Sequence, residues 1–218
     1  MIFGRRITFK ASLTSQSDMF VGGSDLSVDD EGHEIKRTMR WHNNSPFIPS
    51  ASLKGVMRNA LRRQDCRFVD YLFGEGSEHD LGKGKSGVLW LDHAVMTAAA
   101  NDGSIGGEVV ETTHVAIDPE TGTADDHKLF RREEVAAKAQ FSFVADYFSD
   151  DLSALVTFFK ALEQGVRVGG GTAKGYGEIK LDMAELTAVR YEPNAEGELV
   201  ESDYDLSAFR KQVAQHEI

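Results

Sequence analysis

The first apolar pattern in the chain is a strict alternation near its beginning. In "ITFKASL" every second residue is apolar: Ile7, Phe9, Ala11 and Leu13. Because side chains of a strand point alternately to its two faces, this pattern predicts a strand with one buried face. Residues 14–49 show no sustained period and carry several glycines. We therefore expect a long irregular insertion there, of a kind that in compact domains is usually functional or disordered.

Two later stretches follow the period of amphipathic helices. The apolar face of "SASLKGVMRNALRR" consists of Leu53, Val56, Met57, Ala60 and Leu61. The apolar face of "SDDLSALVTFFKALEQG" consists of Leu152, Leu155, Val156, Phe159 and Leu162. Ser50 or Ser52 is predicted to cap the first helix, because both are good N-cap residues. Asp150 or Asp151 is predicted to cap the second helix, which Gly165 ends.

The remaining segments are typical of strands. "SGVLWLDHAVM" predicts one strand, and "YGEIKLDM" predicts another late in the chain. Between them, β-capable segments flank the turn-rich "DPETG", which predicts a long projecting hairpin that ends in the strand "QFSFVADYF". The order is strand, helix, strand, strand, helix, strand. This order indicates an α+β fold with a ferredoxin-like core, as in RNA-recognition sheets, and with long insertions in its loops.

Composition narrows the class of protein. The chain has 218 residues, of which 41% are hydrophobic, and this suffices for a buried core. Its single cysteine, Cys66, excludes an internal disulfide framework and a cysteine-rich zinc site. The beginning of the chain has no apolar stretch of signal-peptide length, and nowhere do 18 apolar residues run together. We expect a cytoplasmic protein with no membrane partner.

The charge of the chain is unevenly distributed. A formal net charge of −11 argues at first against nucleic acid as a partner. Much of the acid, however, lies in "SDLSVDDEGHE", "DPETGTADD" and "EPNAEGELVESDYD". The basic residues cluster elsewhere: Lys36, Arg37 and Arg40; Lys54, Arg58, Arg62 and Arg63; Lys128, Arg131 and Arg132; Arg167 and Lys174. This segregation permits a basic groove on an acidic body, although ordinary solvated faces would look the same.

A glycine-rich stretch, "RVGGGTAKGYGEIKL", lies between the second helix and the last strand. It contains Gly169, Gly170, Gly171, Gly175 and Gly177. A triphosphate loop is disfavoured, because no GxxxxGK[ST] pattern occurs and the stretch precedes a strand rather than a helix. A tight connection alone would need one or two glycines. We therefore predict that this loop, with Lys174, lets bare backbone approach a phosphate chain.

Two motifs resemble those of the RAMP superfamily of CRISPR-associated proteins. "FIPSASLKGVMRNALR" resembles the IPGSSLKG-R signature, and "GGGTAKGYGEI" resembles the C-terminal glycine-rich loop. "FVGGSD" and "HVAIDPETGTADDHKLFRRE" resemble, more loosely, the first loop and the hairpin of the repeated backbone subunit of type III effector complexes. The resemblance covers roughly residues 7–182. It implies one domain over residues 1–182, with insertions at about 14–49 and 83–140, followed by an acidic extension over residues 183–218.

The resemblance implies a subunit that polymerises along CRISPR RNA and holds target RNA, shaped as a palm with fingers and a thumb. Further copies of the chain and other effector-complex subunits would be its protein partners. The residues expected to bind RNA are Ser50, Ser52, Lys54, Arg58, Gly169, Gly170, Gly171, Lys174 and Gly175. A helix N-terminus suits a phosphate, although Ser50 and Ser52 are equally suited to plain capping. The thumb residues would be Lys128, Arg131 and Arg132.

Cleavage of target RNA is a further implication of the resemblance. Backbone subunits of this kind carry an aspartate about fifteen residues before the IP of the helix motif, where it is associated with metal-dependent cleavage. Counting back from Pro49 reaches Glu34 rather than an aspartate, with Asp29 and Asp30 a few residues earlier. Asp29, Asp30 and Glu34 are the catalytic candidates, and Asp30 and Glu34 the candidates to hold Mg²⁺ or Mn²⁺. An inactive scaffold is the alternative.

Two other functions compete with this interpretation. A RAMP-type endoribonuclease that processes CRISPR RNA would need a general acid and base, but the histidines are scattered: His33, His42, His93, His114 and His127. A ferredoxin-like enzyme that binds a small ligand at the glycine-rich loop is the second alternative. It leaves the basic helix stripe and the long hairpin without a role.

Overall fold

A computed structural model describes residues 5–28, 34–64, 66–75, 84–98, 108–117 and 120–217. Its strands are β1 (Arg6–Ser15), β2 (Gly22–Val28), β3 (Glu34–Thr38), β4 (Phe47–Ile48), β5 (Gly74–Glu75), β6 (Lys85–Ser86), β7 (Leu89–Leu91), β8 (Ala94–Ala98), β9 (Val109–Ile117), β10 (Ala124–Val135), β11 (Gln140–Tyr147), β12 (Val166–Arg167), β13 (Glu178–Leu181), β14 (Thr187–Pro193) and β15 (Leu199–Asp203). Its helices are α1 (Ser50–Arg63), α2 (Val69–Phe73), α3 (Ser153–Gln164) and α4 (Ser207–Gln215). Within these residues no helix is long and apolar enough to cross a membrane.

The main sheet is built around β1. It runs in the order β12-β13-β1-β11-β8-β4, and every pairing in it is antiparallel. Alternate residues of β11 are buried, as the period of two requires. The buried rings of this sheet pack on α3, where the ring centres of Phe9 and Phe159 lie 5.2 Å apart. The prediction of a mixed α/β fold with antiparallel sheets is therefore confirmed.

The two amphipathic helices are confirmed, but their caps differ. Leu53, Met57 and Leu61 are buried on α1. Pro49 precedes α1 instead of a serine cap, and the Ser50 N–H donates to Nδ1 of His93 at 3.0 Å. The predicted cap was therefore wrong, because a histidine from the β7–β8 connection reaches this helix end first.

The cap of α3 comes from the predicted aspartate pair. Leu152 holds the N-cap position, and the Asp151 carboxylate just before it accepts the Ser153 N–H at 3.0 Å. The hydrogen bonds from the Ser153 side chain and backbone hold the pKa of the Asp151 carboxyl below its ordinary value.

Residues 14–49 do not form one irregular insertion. They contain β2 and β3, which join the β9–β10 hairpin in a second sheet of order β2-β3-β10-β9. The pairing of β3 with β10 is parallel, whereas β9 and β10 pair as an antiparallel hairpin, as predicted. The distant strand β10 stabilises β3, which in turn pairs with β2, so the two short strands do not need a clear period of their own.

The segment "SGVLWLDHAVM" forms two strands rather than one. β7 and β8 both pair with β11, and the Asp92 N–H between them donates to the Val144 carbonyl at 3.1 Å. The register between β8 and β11 is shifted at this end of the sheet. The short strand β4 pairs with β8 on its other side.

The C-terminal segment packs on the same sheet and core. β14 pairs with the first half of β1, next to β13, and β15 pairs with β14. On α4, Phe209 and Val213 are buried, and the Phe209 ring centre lies 5.5 Å from that of Phe159. The domain boundary after residue 182 stays a prediction, but the segment that follows it supplies part of the hydrophobic core.

Candidate nucleic-acid interface

The basic stripe of α1 lies along a surface groove. Lys54 and Arg58 line this groove together with β5, β6 and the beginning of β7, around a cavity of about 470 Å³. Arg58 donates to the Gly74 carbonyl oxygen, and its guanidinium carbon lies 5.9 Å from the centre of the Phe73 ring. Arg58 thus anchors the wall of the groove. Lys54 is exposed, and its ammonium group is available to a phosphate.

Ser50 and Ser52 occupy the beginning of the same helix. Ser50 lines an adjoining groove of about 300 Å³ with Lys54 and Trp90. Because its backbone N–H is bonded to His93, this group is not available to a phosphate. Ser52 lies in the same first turn and is half-buried. The structure therefore brings Ser50 to Lys54, but it leaves a smaller set of N–H groups at this end than the sequence suggests.

The glycine-rich loop lies on the other flank of α1. A groove of about 640 Å³ there is lined by Val56, Asn59, Ala60, Arg63, Gln64, Gly165, Val166, Arg167, Thr172 and Ala173. Among the described residues, those of the loop that line this groove do not line the groove of Lys54 and Arg58. Positions 54 and 58 project from one side of a helix, whereas positions 59 and 63 project from nearly the opposite side. The two basic surfaces are separated by α1 itself.

Internal packing explains several of the loop glycines. A Cβ on Gly169 would lie 2.3 Å from the Phe20 carbonyl oxygen, and one on Gly177 would lie 1.9 Å from that of Val168. Both residues have positive φ, at +90° and +78°. The N–H groups of Gly170 and Gly177 donate to carbonyl oxygens of residues 20 and 18, each at 2.8 Å. Much of the glycine backbone therefore contacts residues 18–21, which connect β1 to β2.

The outer part of the loop is exposed. Lys174 and Gly175 form its solvent-facing end. Apart from the two chain neighbours of Gly175, no atom of the described residues lies within 4 Å of where its Cβ would stand. This end follows a single 3-10 turn over Thr172–Lys174. Gly169, Gly170 and Gly171 lead into it, with Gly171 half-buried against Tyr176. Among the predicted loop residues, Lys174 and Gly175 are thus the best placed for a ligand.

Arg132 on β10 is buried rather than presented to solvent. Its guanidinium carbon lies 4.6 Å from the centre of the Tyr176 ring and 5.2 Å from that of Phe20. It is hydrogen-bonded to Glu134, which is 1% exposed and also lies 3.0 Å from Nε2 of His114. This network fixes the second sheet against the glycine-rich loop. Sequence reasoning missed Phe20 and Tyr176, because neither stands in an aromatic pattern.

The other predicted thumb residues lie on the same strand. Arg131 is 3.6 Å from Glu111 across the hairpin. Lys128 belongs to β10, but its side chain lies outside the described residues. The stacked rings of His114 and Phe130 lie 5.2 Å apart, and Nζ of Lys36 lies 5.2 Å from the centre of Phe130. This half-buried aromatic and basic surface stands on the hairpin predicted as the thumb.

Arg37 and Arg40 form ion pairs with Glu133. Arg40 lies 3.0 Å from Oε2 of Glu133, and Arg37 bonds to its other oxygen. Burial raises the pKa of Glu133, but the hydrogen bonds from Arg37, Arg40 and the Thr38 N–H outweigh it, so the pKa lies below its ordinary value. Part of the basic cluster at residues 36–40 thus serves the fold.

The predicted catalytic carboxylates are only partly described. Asp29 and Asp30 lie outside the described residues. Glu34 begins β3, is exposed, and stands opposite Val28 on β2. Among the described residues no three of the His, Cys, Asp and Glu side chains come together as a metal site requires. Glu34 alone does not make such a site, and no catalytic step follows from it.

Comparison with known proteins places these features in a family. A sequence profile of the RAMP superfamily matches residues 12–180. The CRISPR system Cms endoribonuclease Csm3 of Streptococcus thermophilus is 24% identical over 207 residues, which cover 84% of this chain and 90% of that protein. The fold is similar to a chain of type III-B Cmr-β in the apo state, with a TM-score of 0.61, 14% identity, and coverage of 80% of this chain and 96% of that chain. A chain of Cmr-β bound to cognate target RNA has a TM-score of 0.59 and 11% identity, with the same coverage.

Proposed function

Because the chain belongs to the RAMP superfamily, we propose that it is the CRISPR RNA-binding backbone subunit of a type III effector complex. In this role it polymerises along the guide and holds target RNA. The observation that carries the proposal is the family match over residues 12–180 together with exposed cations on both flanks of α1, the helix of the family motif. The relative named Csm3 and the two Cmr-β structures support it.

The strand order supports a ferredoxin-like palm. Strands β13, β1, β11 and β8 are neighbours in that order, with α1 and α3 in the two crossover connections. This is the arrangement expected of a split βαβ unit in which the first and third strands are central. We assign the palm to this part of the main sheet and the thumb to the β9–β10 hairpin. The fingers are assigned to β2, β3 and the insertion around them.

Phosphate contacts would dominate guide binding. Lys54 on one flank of α1, and Lys174 and Gly175 beyond the other, are exposed points to which a sugar–phosphate chain can bind. A lysine contributes a point charge without reading a base, so these contacts hold the RNA independently of its sequence. A subunit of a guide-dependent complex needs this property, because the guide sequence changes from one complex to another.

Assembly follows from repetition along the guide. A chain that repeats head to tail presents different surfaces to its two neighbours, so its contacts propagate rather than close. We propose further copies of the chain and other effector-complex subunits as partners, with CRISPR RNA setting the length of the array. Guides of increasing length should therefore give particles whose mass rises in steps of one subunit.

We also propose that carboxylates of residues 29–34 take part in cleavage of target RNA. The relative named Csm3 is called an endoribonuclease. The carboxylate candidates Asp29, Asp30 and Glu34 lie together in the sequence, between Val28 and Ile35. A divalent cation such as Mg²⁺ or Mn²⁺, held near a scissile phosphate, would stabilise the charge that develops during cleavage. Within the described residues only Glu34 belongs to this group, so the proposal rests on the relative and on the loop sequence.

A salt titration tests the binding proposal. The full chain is titrated with two guides of unrelated sequence, and both affinities should fall steeply as salt rises, because bound counterions are released from the RNA. Lys54→Ala and Lys174→Ala should weaken both guides alike, whereas Lys211→Ala on the exposed face of α4 should leave both unchanged. A strong preference for one guide with a flat salt response would contradict the proposal. Purification of a monomer that carries a small metabolite instead of RNA would favour the small-ligand alternative.

A further inference from the structure

Trp90 is a large aromatic residue of β7 whose side chain is partly open to solvent. On β7 the preceding residue, Leu89, is buried, whereas Trp90 is 41% exposed. The indole N–H donates to the Gly87 carbonyl at 3.2 Å, and the ring centre lies 4.7 Å from that of Phe148 at an angle of 57°. These contacts hold the indole in one orientation. A large ring that is fixed in position and still open to solvent is suited to contact with a ligand.

Two grooves meet at Trp90 and Lys54. Both residues line the groove of about 470 Å³ that contains Arg58, and both line the adjoining groove of about 300 Å³ that contains Ser50. The side chains of Trp90 and Lys54 therefore border both grooves. Each volume is in the range of about 300–1,000 Å³ that holds small organic ligands or parts of larger ones.

The charge around the junction favours an anionic ligand. Among the described residues that line the larger groove, Lys54, Arg58 and Lys85 are cations and Glu75 is the one carboxylate. Arg58 is bonded to the Gly74 carbonyl, but its Nε is buried with no hydrogen-bond partner among the described residues. A cationic groove beside an aromatic ring suits a ligand that has both a phosphate and a flat base.

We propose that Trp90 stacks on a base of single-stranded RNA while Lys54 binds the adjacent phosphate. The proposal rests on the proposed RNA-binding function and adds a base contact to its phosphate contacts. Stacking of a base on an aromatic side chain is independent of sequence, because every base has a π face. It therefore strengthens binding without giving preference to one guide. A protein helix is a poorer occupant, since it would bury the three cations of the groove without compensation.

Fluorescence of Trp90 tests the contact directly. The chain has two tryptophans, so Trp41→Phe leaves Trp90 as the only one. Trp41 packs on Phe47 and His93, with ring centres 5.2 and 5.0 Å away, and phenylalanine retains an aromatic ring there. Short oligouridylate and oligoadenylate are added to this variant, and both should quench the emission of Trp90 to saturation. An abasic ribose–phosphate chain of the same length should bind without quenching.

Affinities of substituted chains test the energy of the contact. Trp90→Leu keeps an apolar side chain against Phe148 but removes the π face. It should weaken binding of base-bearing RNA roughly 5- to 150-fold, the equivalent of losing one stacked base. The affinity for the abasic chain should not change. Trp90→Phe should recover part of the lost affinity, and thermal unfolding should be similar for all three chains.

The possible outcomes separate this inference from the function on which it rests. RNA binding with no quenching, and with equal affinities for the parent and Trp90→Leu chains, would overturn the stacking contact and leave the function standing. If Trp90→Leu instead changes the mass of assembled particles but not the affinity for a short RNA, Trp90 is a contact between copies and the inference is wrong. Absence of any RNA binding by the unsubstituted chain would overturn both.

Discussion

The guanidinium carbon of Arg132 lies 4.6 Å from the centre of the Tyr176 ring. Arg132 belongs to the second sheet, whereas Tyr176 lies in the glycine-rich loop, which leads into β13 of the main sheet. The contact thus joins the predicted thumb to the loop, and Glu134 completes it by accepting hydrogen bonds from the same guanidinium. The position of the loop relative to the thumb therefore depends on a buried ion pair.

Removal of Arg132 should destabilise the protein strongly. Arg132→Ala leaves the Glu134 carboxylate, which is 1% exposed, without its main partner, and breaking a buried pair in this way costs about 3–5 kcal/mol. Arg131→Ala is the matched control on the same strand, and loss of its more exposed ion pair with Glu111 should cost less than about 1 kcal/mol. Urea unfolding of the two variants measures both values. Equal losses would contradict the structural role of Arg132.

Stability should fall in acid partly through Glu133. Its carboxyl has a pKa below the ordinary value of 4.5, chiefly because the bonds from Arg37 and Arg40 outweigh burial. The stabilisation by its ionised form is therefore complete above pH 4.5 and is lost as the pH falls through the folded-state pKa. Glu133→Gln should thus be less stable than the parent at pH 7, and the difference should shrink below pH 4.5. A difference that is constant from pH 7 to pH 3 would disprove this.

The loop glycines should differ in their tolerance of a side chain. Gly169→Ala places a Cβ 2.3 Å from the Phe20 carbonyl oxygen, so the glycine-rich loop must move away from Phe20. Gly175→Ala meets no atom within 4 Å, and it should cost only about 1–2 kcal/mol for the positive φ. Thermal unfolding should therefore show a larger loss for Gly169→Ala. If Gly175→Ala also weakens guide binding while remaining folded, the exposed end of the loop contacts the RNA.

The C-terminal helix should contribute to the stability of the whole domain. Phe209 is 3% exposed and its ring packs on Phe9 and Phe159, so Phe209→Ala should cost about 3–5 kcal/mol. Leu199→Ala on the exposed strand β15 is the control and should cost less than about 0.5 kcal/mol. Denaturant unfolding followed by circular dichroism gives both numbers. A Phe209 variant as stable as the parent would show that the tail is dispensable.

Cleavage of target RNA should depend on a divalent cation and on a carboxylate, Asp30 or Glu34. A complex with a matched guide should cut target RNA at regular intervals with Mg²⁺ or Mn²⁺, and a chelator should stop the reaction. Asp30→Ala, or Glu34→Ala if that carboxylate is the one used, should abolish cutting while target binding is kept, because the phosphate contacts lie elsewhere. The guide should stay intact. Tight target binding without cutting in either metal would leave the subunit a scaffold only.

The sequence by itself determined the elements that carry their own periodic signal. The amphipathic helices α1 and α3, the strands β1 and β11, the β9–β10 hairpin and membership of the RAMP superfamily were predicted correctly, although the fully buried Phe158 was not assigned to the predicted face of α3. Each depends on local periodicity or on a motif of contiguous residues. The strand pattern also predicts that Trp90 and Leu89 point to opposite faces. The sequence does not show, however, that Trp90 borders the same grooves as Lys54.

Only the tertiary structure decided the features that need partners distant in sequence. β2 pairs with β3, and β3 also pairs with β10, so these two strands form although neither has a clear period of its own. An arginine is usually exposed, yet Arg132 is buried in contact with Phe20, Tyr176 and Glu134. The glycine-rich loop and Lys54 were both predicted to bind RNA, and only the fold shows that they border different grooves on the two flanks of α1. In each case the energy comes from contacts across the fold, which spacing along the chain does not encode.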